Sequence, residues 1–472
     1  MGFTAQTFLF IFLPLSIVAY LLCTRLHRPL LNNILLALMS LAFYVFCGLH
    51  ALVVFLGLIV FVYLMGVLIG YARQAAGEKS SRRWMALGAA ALVALLFLCK
   101  YLTFLLDTLS ALLPLELSFD GFIIPAGLSF IVFESISYLV DISRGLATPG
   151  SPLDAFVFLS LFPKVISGPI VLWRDFQPQL AQRPEPGADD AAEGLRRIII
   201  GYSKKAILAD TFGAQIARID GVLLAGGVDT PTMWLRALLY FFQLYYDFSG
   251  YSDIAIGLCR VFGFSIKENF NFPYISTSIT EFWRRWHISL GSWFREYVYF
   301  PLGGNRRGNV YLNLFVVFLL TGIWHGANWT FLLWGVINGV FVVAERYVRN
   351  KKWYQRIPSV VKWAFTMAVV YFVWIMFMAS DVSDAFSTYA TLFAASPAVN
   401  FTWRYFLTRK LAVLLVIAAL GSVAGALPMS EERRKRLWAP APWKLAVYLV
   451  LFAVSVLFVV NSSYSPFLYF QF

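Results

Sequence analysis

Two long stretches without a charged side chain constrain this chain more than any other feature. Residues 5–24 contain no Asp, Glu, Lys or Arg, and neither do residues 30–72. About 20 consecutive apolar residues cross the hydrocarbon core of a bilayer as a helix. The first run therefore predicts one membrane span, and the second predicts two spans joined by a tight turn. No small-residue cleavage site follows the first run, so we interpret it as a retained span and not as a signal peptide.

The composition favours an all-α integral membrane protein and excludes several other classes. Only 13% of the 472 residues are charged and 60% are apolar, whereas soluble chains carry about 25% charged residues. The net charge of +13 does not indicate nucleic-acid binding, because the chain has no soluble domain that would carry such a site. Its 4 cysteines form no Cys-x-x-Cys pair, which indicates neither a zinc site nor a disulfide framework.

Basic residues beside the apolar runs predict how the chain is oriented. Loops rich in Lys and Arg stay in the cytoplasm, which places the N-terminus and the loop at 113–121, with Glu116 and Asp120, outside. Three further spans at 361–379, 411–427 and 444–460 then carry the C-terminus outside as well. The basic clusters are Arg25 and Arg28; Arg73, Lys79, Arg82 and Arg83; Arg144, after a span near 123–142; Arg346, Arg349, Lys351 and Lys352; and Arg433, Arg434, Lys435 and Arg436.

The middle of the chain is less regular. Residues 154–173 are apolar but interrupted by two prolines and a glycine, which predicts a re-entrant or tilted segment that other parts of the protein must cover. Residues 179–195 form a polar linker whose acidic residues suit the start of a helix. The following residues, 195–217, have the pattern of an amphipathic helix. We find no internal repeat, so an inverted-repeat transporter is not indicated.

Residues 266–308 combine Lys and Arg with Trp and Tyr, which is typical of a membrane–water interface. Two similar segments, WRRWH at 283–287 and WFREY at 293–297, lie ten residues apart. On one helix they would present several pairs of an aromatic ring and an arginine. Trp283, Arg284 and Arg285 are therefore candidates for binding the phosphates of a nucleotide-bearing donor. Binding of lipid phosphates is the alternative for the same arginines.

One histidine lies inside an apolar run. His325 belongs to the segment LTGIWHGANW at 320–329, and an ionisable side chain at membrane depth indicates a functional site by default. Gly322 and Gly326 would let another backbone or a substrate approach the imidazole closely. The alternative is a buried histidine bonded to a carbonyl of a neighbouring helix. We expect two short helical arms to meet near mid-membrane at or close to His325, between basic residues at 284–307 and 346–352.

Two carboxylates need an explanation as well. Asp247 and Asp253 follow the apolar run 233–246 in a stretch rich in Gly and Ser. Buried carboxylates need partners, so we expect them either to pair with Arg260 and Lys267 or to orient a histidine at the substrate site.

Segments distributed over nearly the whole chain match one family. They are residues 127–130 (GLSF), 135–138 (SISY), 162–163 (FP), 167–170 (SGPI), 247–257 (DFSGYSDIAIG), 269–274 (NFNFPY), 279–290 (ITEFWRRWHISL), 299–305 (YFPLGGN) and 465–472 (SPFLYFQF). Each segment alone is a weak signal, but the combination is specific. With it the chain resembles the membrane-bound O-acyltransferase (MBOAT) family.

The resemblance implies a polytopic helical fold with about 10–12 membrane helices, together with re-entrant and interfacial helices, around a central tunnel. Residues 1–472 then form a single domain. It would comprise N-terminal spans at 1–145, re-entrant, linker and amphipathic segments at 146–265, a catalytic core at 266–348 and C-terminal spans at 349–472. The invariant histidine of the family falls on His325, and a second, more variable polar position falls on His287.

The resemblance also implies a function, namely an O-acyltransferase of the bacterial cytoplasmic (inner) membrane. It would move an acetyl group from a cytoplasmic donor, acetyl-CoA or another acyl thioester, to the outside for O-acetylation of an exopolysaccharide such as alginate. A histidine, with its usual pKa of about 6.5, suits general-base catalysis, and we assign this role to His325. His287 is either a second catalytic residue or an interfacial histidine. Trp324 would exclude water, and Asn328 is a candidate for oxyanion stabilisation.

The expected partners are a separate extracytoplasmic O-acetyltransferase, the polysaccharide acceptor and membrane lipids, without nucleic acid. No metal and no tightly bound cofactor are expected. Close relatives often carry a small residue and a histidine where this chain has Asn328 and Asn338, which leaves the identity of the donor open. Transfer of D-alanine from a carrier protein to teichoic acid is one alternative function. A non-catalytic transporter or flippase, or a scaffold for polysaccharide export, is another, since proton-coupled transport also uses intramembrane His and Asp.

Overall fold

A computed structural model describes residues 2–113, 119, 121–122, 124–182, 187–396, 399–426, 441–461 and 467–468. The predictions for Glu116, Asp120, the basic run 433–436 and most of the terminal segment 465–472 lie outside the described residues. Every regular element that the structure describes is a helix, which confirms the all-α prediction. The chain divides into two compact units, which are described separately.

Five of the described helices are long and apolar enough to cross a membrane. The three spans expected after residue 361 are confirmed, with ends within two residues of the predicted ones at Ser359–Met378, Arg409–Ala426 and Pro442–Asn461. The other two are Leu49–Lys100 and Trp329–Val348, and four shorter apolar helices are Phe8–Thr24, Pro29–Val45, Leu102–Leu112 and Val310–His325. The larger number of spans and the central tunnel stay predictions.

The first unit contains residues 1–198 and 252–267. The tight turn predicted within 30–72 is confirmed at residues 46–48, between two helices. The basic connection expected after residue 72 is a tight turn and not an extended loop, because only Gly77, where φ is 79°, leaves helical geometry, with a φ that glycine adopts without strain. The chain reverses there, since a Cβ on Gly88 would lie 3.1 Å from the side chain of Met65. The helices are α1 (Leu13–Thr24, after a π-helical turn Phe8–Phe12), α2 (Pro29–Val45), α3 (Leu49–Lys100), α4 (Leu102–Leu112), α5 (Leu128–Arg144), α6 (Pro152–Ser160), α7 (Trp173–Gln182) and the larger part of α8 (Ala188–Tyr202).

The irregular segment expected at 154–173 is confirmed as α6 followed by a fully buried turn at 161–172. An ion pair between Lys164 and Glu134 of α5 holds this turn. The backbone N–H of Val171 donates to the same carboxylate over 3.2 Å. Irregular backbone at membrane depth is stable only where its polar groups find partners inside the protein, and Glu134 provides them here.

The second unit contains residues 199–251 and 268–468. The amphipathic helix predicted at 195–217 is part of a longer helical stretch from α8 through a π-helical turn (Ser203–Ala209) to α9, with acidic residues in the first turn of α8 as expected. The helices are α9 (Asp210–Gly226), most of α10 (Thr230–Val261), α11 (Ile279–Arg285), α12 (Ile288–Phe294, then a π-helical turn Arg295–Tyr299), α13 (Val310–His325), α14 (Trp329–Val348), α15 (Lys352–Gln355), α16 (Ser359–Met378), α17 (Val382–Phe393), α18 (Trp403–Phe406), α19 (Arg409–Val423) and α20 (Pro442–Asn461).

Candidate active site

His325 is the last residue of α13, and its side chain is buried. The chain turns at 326–328 and returns as α14. Two glycines allow the two helices to approach closely, because a Cβ on Gly322 would lie 2.4 Å from the carbonyl oxygen of Phe331 and 2.9 Å from the Cα of Gly335. The prediction that two helical arms meet at His325 is thus confirmed, and small residues at their contact are the usual means of close helix packing in membranes.

Aromatic rings surround the His325 imidazole. Its centroid lies 5.0 Å from that of Trp334 and 5.1 Å from that of Phe377, both in edge-to-face orientation. The ring of Trp324 lies 5.0 Å away and also meets it edge to face. The Phe331 ring, at 6.4 Å, occupies the space beside Gly326. These rings place apolar groups around the imidazole, and in such surroundings electrostatic interactions are stronger than in water.

His287 lies between α11 and α12 and adopts a left-handed backbone conformation with φ 48° and ψ 54°. The prediction that one helix carries the two Trp/Arg segments is therefore wrong, because the helix is interrupted at His287. A non-glycine residue in this region costs about 1–3 kcal/mol and is often found at functional sites. The side chain is buried, and this burial lowers the pKa of His287 to about 3.

A small hydrogen-bond network lies beside Nδ1 of the His287 imidazole. Its Nδ1 lies 3.1 Å from Oδ1 of the buried Asn269. The same oxygen accepts from the backbone N–H of Ser289 over 3.2 Å and from its hydroxyl over 2.9 Å. Phe248 of α10 meets the imidazole edge to face at 4.7 Å. The ring of His287 is thus held both by a polar partner and by an aromatic one.

Trp324 brings the two histidines into one site. Its ring centroid lies 6.2 Å from that of His287 and 5.0 Å from that of His325. Both imidazoles therefore contact a single indole within the second unit, although 37 residues separate Trp324 from His287 in the sequence.

The other predicted binding residues have different environments. Trp283 donates from Nε1 to Oδ1 of Asn338 over 3.2 Å and meets Trp334 edge to face at 5.3 Å, so it backs the wall of the His325 site. Arg285 pairs with Glu281 over 2.9 Å and also donates to the carbonyl of Asn271. The side chain of Arg284 is exposed.

Asn328, expected to stabilise an oxyanion, is the N-cap of α14. Its Oδ1 accepts from the backbone N–H of Thr330 over 3.0 Å, and its amide donates to the carbonyl of Ser380 over 2.7 Å. Both ends of the amide therefore have structural partners.

Asp247 forms an ion pair, as expected, but its partner is neither Arg260 nor Lys267. Asp247 lies within 2.7 Å of Nζ of Lys205 and also accepts from the backbone N–H of Leu468 over 2.8 Å. The other three charged residues find partners in the first unit. Asp253 pairs with Arg197, Arg260 with Asp190, and Lys267 with Asp175.

Several contacts of the site were not predicted from the sequence. Asn269, Phe248 and Ser289 were recognised only as parts of matching segments, and Phe377 carried no signal. Asn269, Phe248 and Phe377 reach the site from distant parts of the chain. Among the described residues, no group of three or more His, Cys, Asp or Glu side chains is arranged to hold a metal ion.

Comparisons with known proteins identify the family of the chain. The sequence profile of the MBOAT, membrane-bound O-acyltransferase family matches residues 141–387, which include both histidines. The chain is 38% identical to the probable alginate O-acetylase AlgI of Pseudomonas putida over 100% of both chains. It is 34% identical to the peptidoglycan O-acetyltransferase of Helicobacter pylori over 81% of this chain and 78% of the relative. It is 31% identical to the teichoic acid D-alanyltransferase of Bacillus subtilis over 52% of this chain and 64% of the relative.

Proposed function

Because the chain belongs to the membrane-bound O-acyltransferase family, we propose that it moves an acetyl group from a cytoplasmic thioester donor across the inner membrane for O-acetylation of an exopolysaccharide such as alginate. That it is a multi-pass membrane O-acyltransferase follows from the family and its apolar helices. The observation that supports the finer proposal is the pair of buried imidazoles on Trp324, inside the matched residues.

In this proposal His325 is the general base. Its imidazole takes the proton of the acceptor hydroxyl while the oxygen attacks the thioester carbonyl carbon. The C–O bond forms, the C–S bond then breaks, and the leaving thiolate takes the proton from the imidazolium. Positioned general-base catalysis contributes about 10²–10⁴ in rate. The rings of Trp324, Trp334 and Phe377 around His325 support the proposal, because a site closed by apolar groups limits hydrolysis of the thioester.

The position of the basic residues supports a donor with a long flexible arm. Arg306 and Arg307 precede α13, Arg346 lies in the last turn of α14, and Arg349 follows that helix as its C-cap. These four residues therefore lie at the end of the helix pair that is remote from His325. The 16 residues of α13 span about 24 Å at 1.5 Å per residue. A phosphopantetheine arm is of comparable length, so phosphates bound at the basic end would let the thioester reach the imidazole. Acetyl-CoA has such an arm, as does an acylated carrier protein.

The extent of the relatives' matches favours acetyl transfer over D-alanyl transfer. The probable alginate O-acetylase matches 100% of this chain, whereas the teichoic acid D-alanyltransferase matches 52%. An extracytoplasmic O-acetyltransferase is the expected partner that passes the acetyl group to the polymer, with the N-terminus and C-terminus on the same outer side. Arg284, which is exposed, remains a candidate for contact with donor or lipid phosphates.

The proposal is tested with the full chain in lipid nanodiscs and acetyl-CoA labelled in the acetyl group. We expect label to pass to an acceptor hydroxyl with the wild-type protein and not with His325→Ala. His50→Ala, which replaces an exposed histidine at a helix start in the first unit, is the matched control and should retain transfer. Full activity of His325→Ala at normal protein levels would refute the assignment of His325 as the general base. Movement of a substrate across the bilayer without any acetyl transfer would favour the transporter.

A further inference from the structure

Asn269 is a fully buried residue at the centre of the hydrogen bonds beside His287. Its backbone carbonyl accepts from the N–H of Ile288 over 2.9 Å, and two residues later the N–H of Asn271 donates to the carbonyl of Arg285 over 2.9 Å. These two bonds fix segment 269–271 alongside segment 285–288. The side chain of Asn269 is therefore aligned with the left-handed turn at His287 by the backbone itself.

The backbone of Ser289 determines which end of the Asn269 amide faces the histidine. Amide oxygen and nitrogen are difficult to tell apart from shape alone, but a backbone N–H can only donate a hydrogen bond. The Ser289 N–H lies 3.2 Å from the Asn269 side-chain atom that also lies 3.1 Å from His287 Nδ1. That atom must therefore be the oxygen, which can only accept.

An accepting oxygen beside Nδ1 requires that Nδ1 carry a hydrogen. A neutral imidazole has one N–H, so its other nitrogen, Nε2, then carries the lone pair. We propose that Asn269 is a positioning residue that holds His287 as the Nδ1–H tautomer and thereby keeps the Nε2 lone pair available to accept a hydrogen bond from the reacting groups. The participation of His287 in the reaction rests on the proposed function, whereas the tautomer does not.

The burial of His287 supports this assignment. Because burial lowers its pKa to about 3, the imidazole is neutral near pH 7, and the hydrogen on Nδ1 is its only N–H. In the serine-protease triad a carboxylate fixes the tautomer of a histidine in the same way, and its loss lowers the rate by about 10⁴. Asn269 would serve the same purpose without adding a charge to a buried site.

The tautomer is measured directly by NMR of the full chain with ¹⁵N-labelled histidine. The chain has only 4 histidines, and the signals lost in His287→Gln identify those of His287. We expect a protonated Nδ1 and an unprotonated Nε2, distinguished by their couplings to the two ring C–H groups. A protonated Nε2 in the wild-type protein would overturn the inference, whether or not acetyl transfer is observed. A wild-type protein with the expected tautomer but no acetyl transfer would instead refute the proposed function alone.

Three variants separate positioning from simple support of the turn. Asn269→Leu removes the acceptor and should lower kcat by up to about tenfold, with a mixed tautomer and a smaller change in KM. Asn269→Asp retains the accepting oxygen and should restore the Nδ1–H signal. Ser289→Ala removes one hydroxyl but keeps the backbone N–H that orients Asn269, so its tautomer should not change. An unchanged tautomer in Asn269→Leu, or a changed one in Ser289→Ala, would show that Asn269 does not set it. The Asp variant and the wild-type spectrum decide the matter if the Leu variant does not fold.

Discussion

His287 and His325 are both buried and both contact Trp324, yet the protein holds them by different means. A hydrogen bond to the side-chain oxygen of Asn269 and a left-handed turn hold His287, and such a bond determines which ring nitrogen carries a proton. His325 ends a helix and stands against the rings of Trp334 and Phe377, contacts that fix the position of the imidazole and exclude water. In the proposed function, His287 contributes a constant hydrogen-bond acceptor, whereas His325 exchanges a proton during the reaction.

Replacing each histidine with Gln should separate these roles and give the largest effect. His325→Gln removes the proposed base and should lower kcat by about 10²–10⁴. His287→Gln retains an accepting oxygen and should lower kcat by only about tenfold, the effect of one weakened hydrogen bond. Rates are measured with labelled acetyl-CoA, and His50→Gln is the control. A larger loss in His287→Gln than in His325→Gln would reverse the assignment of the base.

Local sequence was sufficient to single out His325, whereas His287 was named only through the resemblance to the family. His325 was identified because a titratable residue inside an apolar run is unusual, and this argument requires no knowledge of distant contacts. The spans near 361–379, 411–427 and 444–460 were predicted for the same reason, since hydrophobicity is a local property. Each corresponding helix starts two residues earlier in the structure.

The environment of His287 was not predictable in this way. Segment 283–297 has the residue pattern of one helix, and the break at His287 depends on Asn269, which lies 18 residues earlier and pairs with the turn through its backbone and side chain. Asp247 shows the same difficulty, because its partner Lys205 lies 42 residues away. Which partner a buried polar group finds is decided by the fold, whereas the need for a partner can be inferred from the residue type.

The close packing of α13 and α14 beside His325 is tested by replacing the glycine at their contact with alanine. A Cβ on Gly322 would lie 2.4 Å from a backbone oxygen of α14, an atom that cannot move without displacing the helix. Gly322→Ala should therefore destabilise the protein by about 1–3 kcal/mol and lower activity with it. Gly291→Ala is the matched control in α12, where the nearest atom to a new Cβ is 3.8 Å away, and it should be neutral or slightly stabilising. Equal thermal stability of the two variants would contradict the close contact.

Substitution of Asn328 tests whether this residue stabilises the fold or takes part in the chemistry near His325. As the N-cap of α14, it should contribute about 1 kcal/mol to stability, so Asn328→Ala should melt at a lower temperature while kcat changes by less than about tenfold. Thr408→Ala removes the N-cap of α19 and should lower stability similarly. If Asn328 stabilises the oxyanion instead, only its own substitution will lower kcat, by about 10²–10³.

The smallest expected effect is a difference in pH dependence between the wild-type protein and His287→Gln. The pKa of His287 falls from its usual value of about 6.5 to about 3 in the folded protein because of burial. Between these values the unfolded chain binds a proton that the folded protein does not, so stability is complete above about pH 6.5 and is lost as the pH falls. Lowering the pH from about 7 to about 6 should cost the wild-type protein about 0.7 kcal/mol more than His287→Gln. The other three histidines are present in both proteins, so their contributions cancel when the melting temperatures are compared. An identical response of the two proteins would mean that His287 accepts a proton as readily in the folded state as in the unfolded one, and its distinction from His325 as a permanently neutral acceptor would then fail.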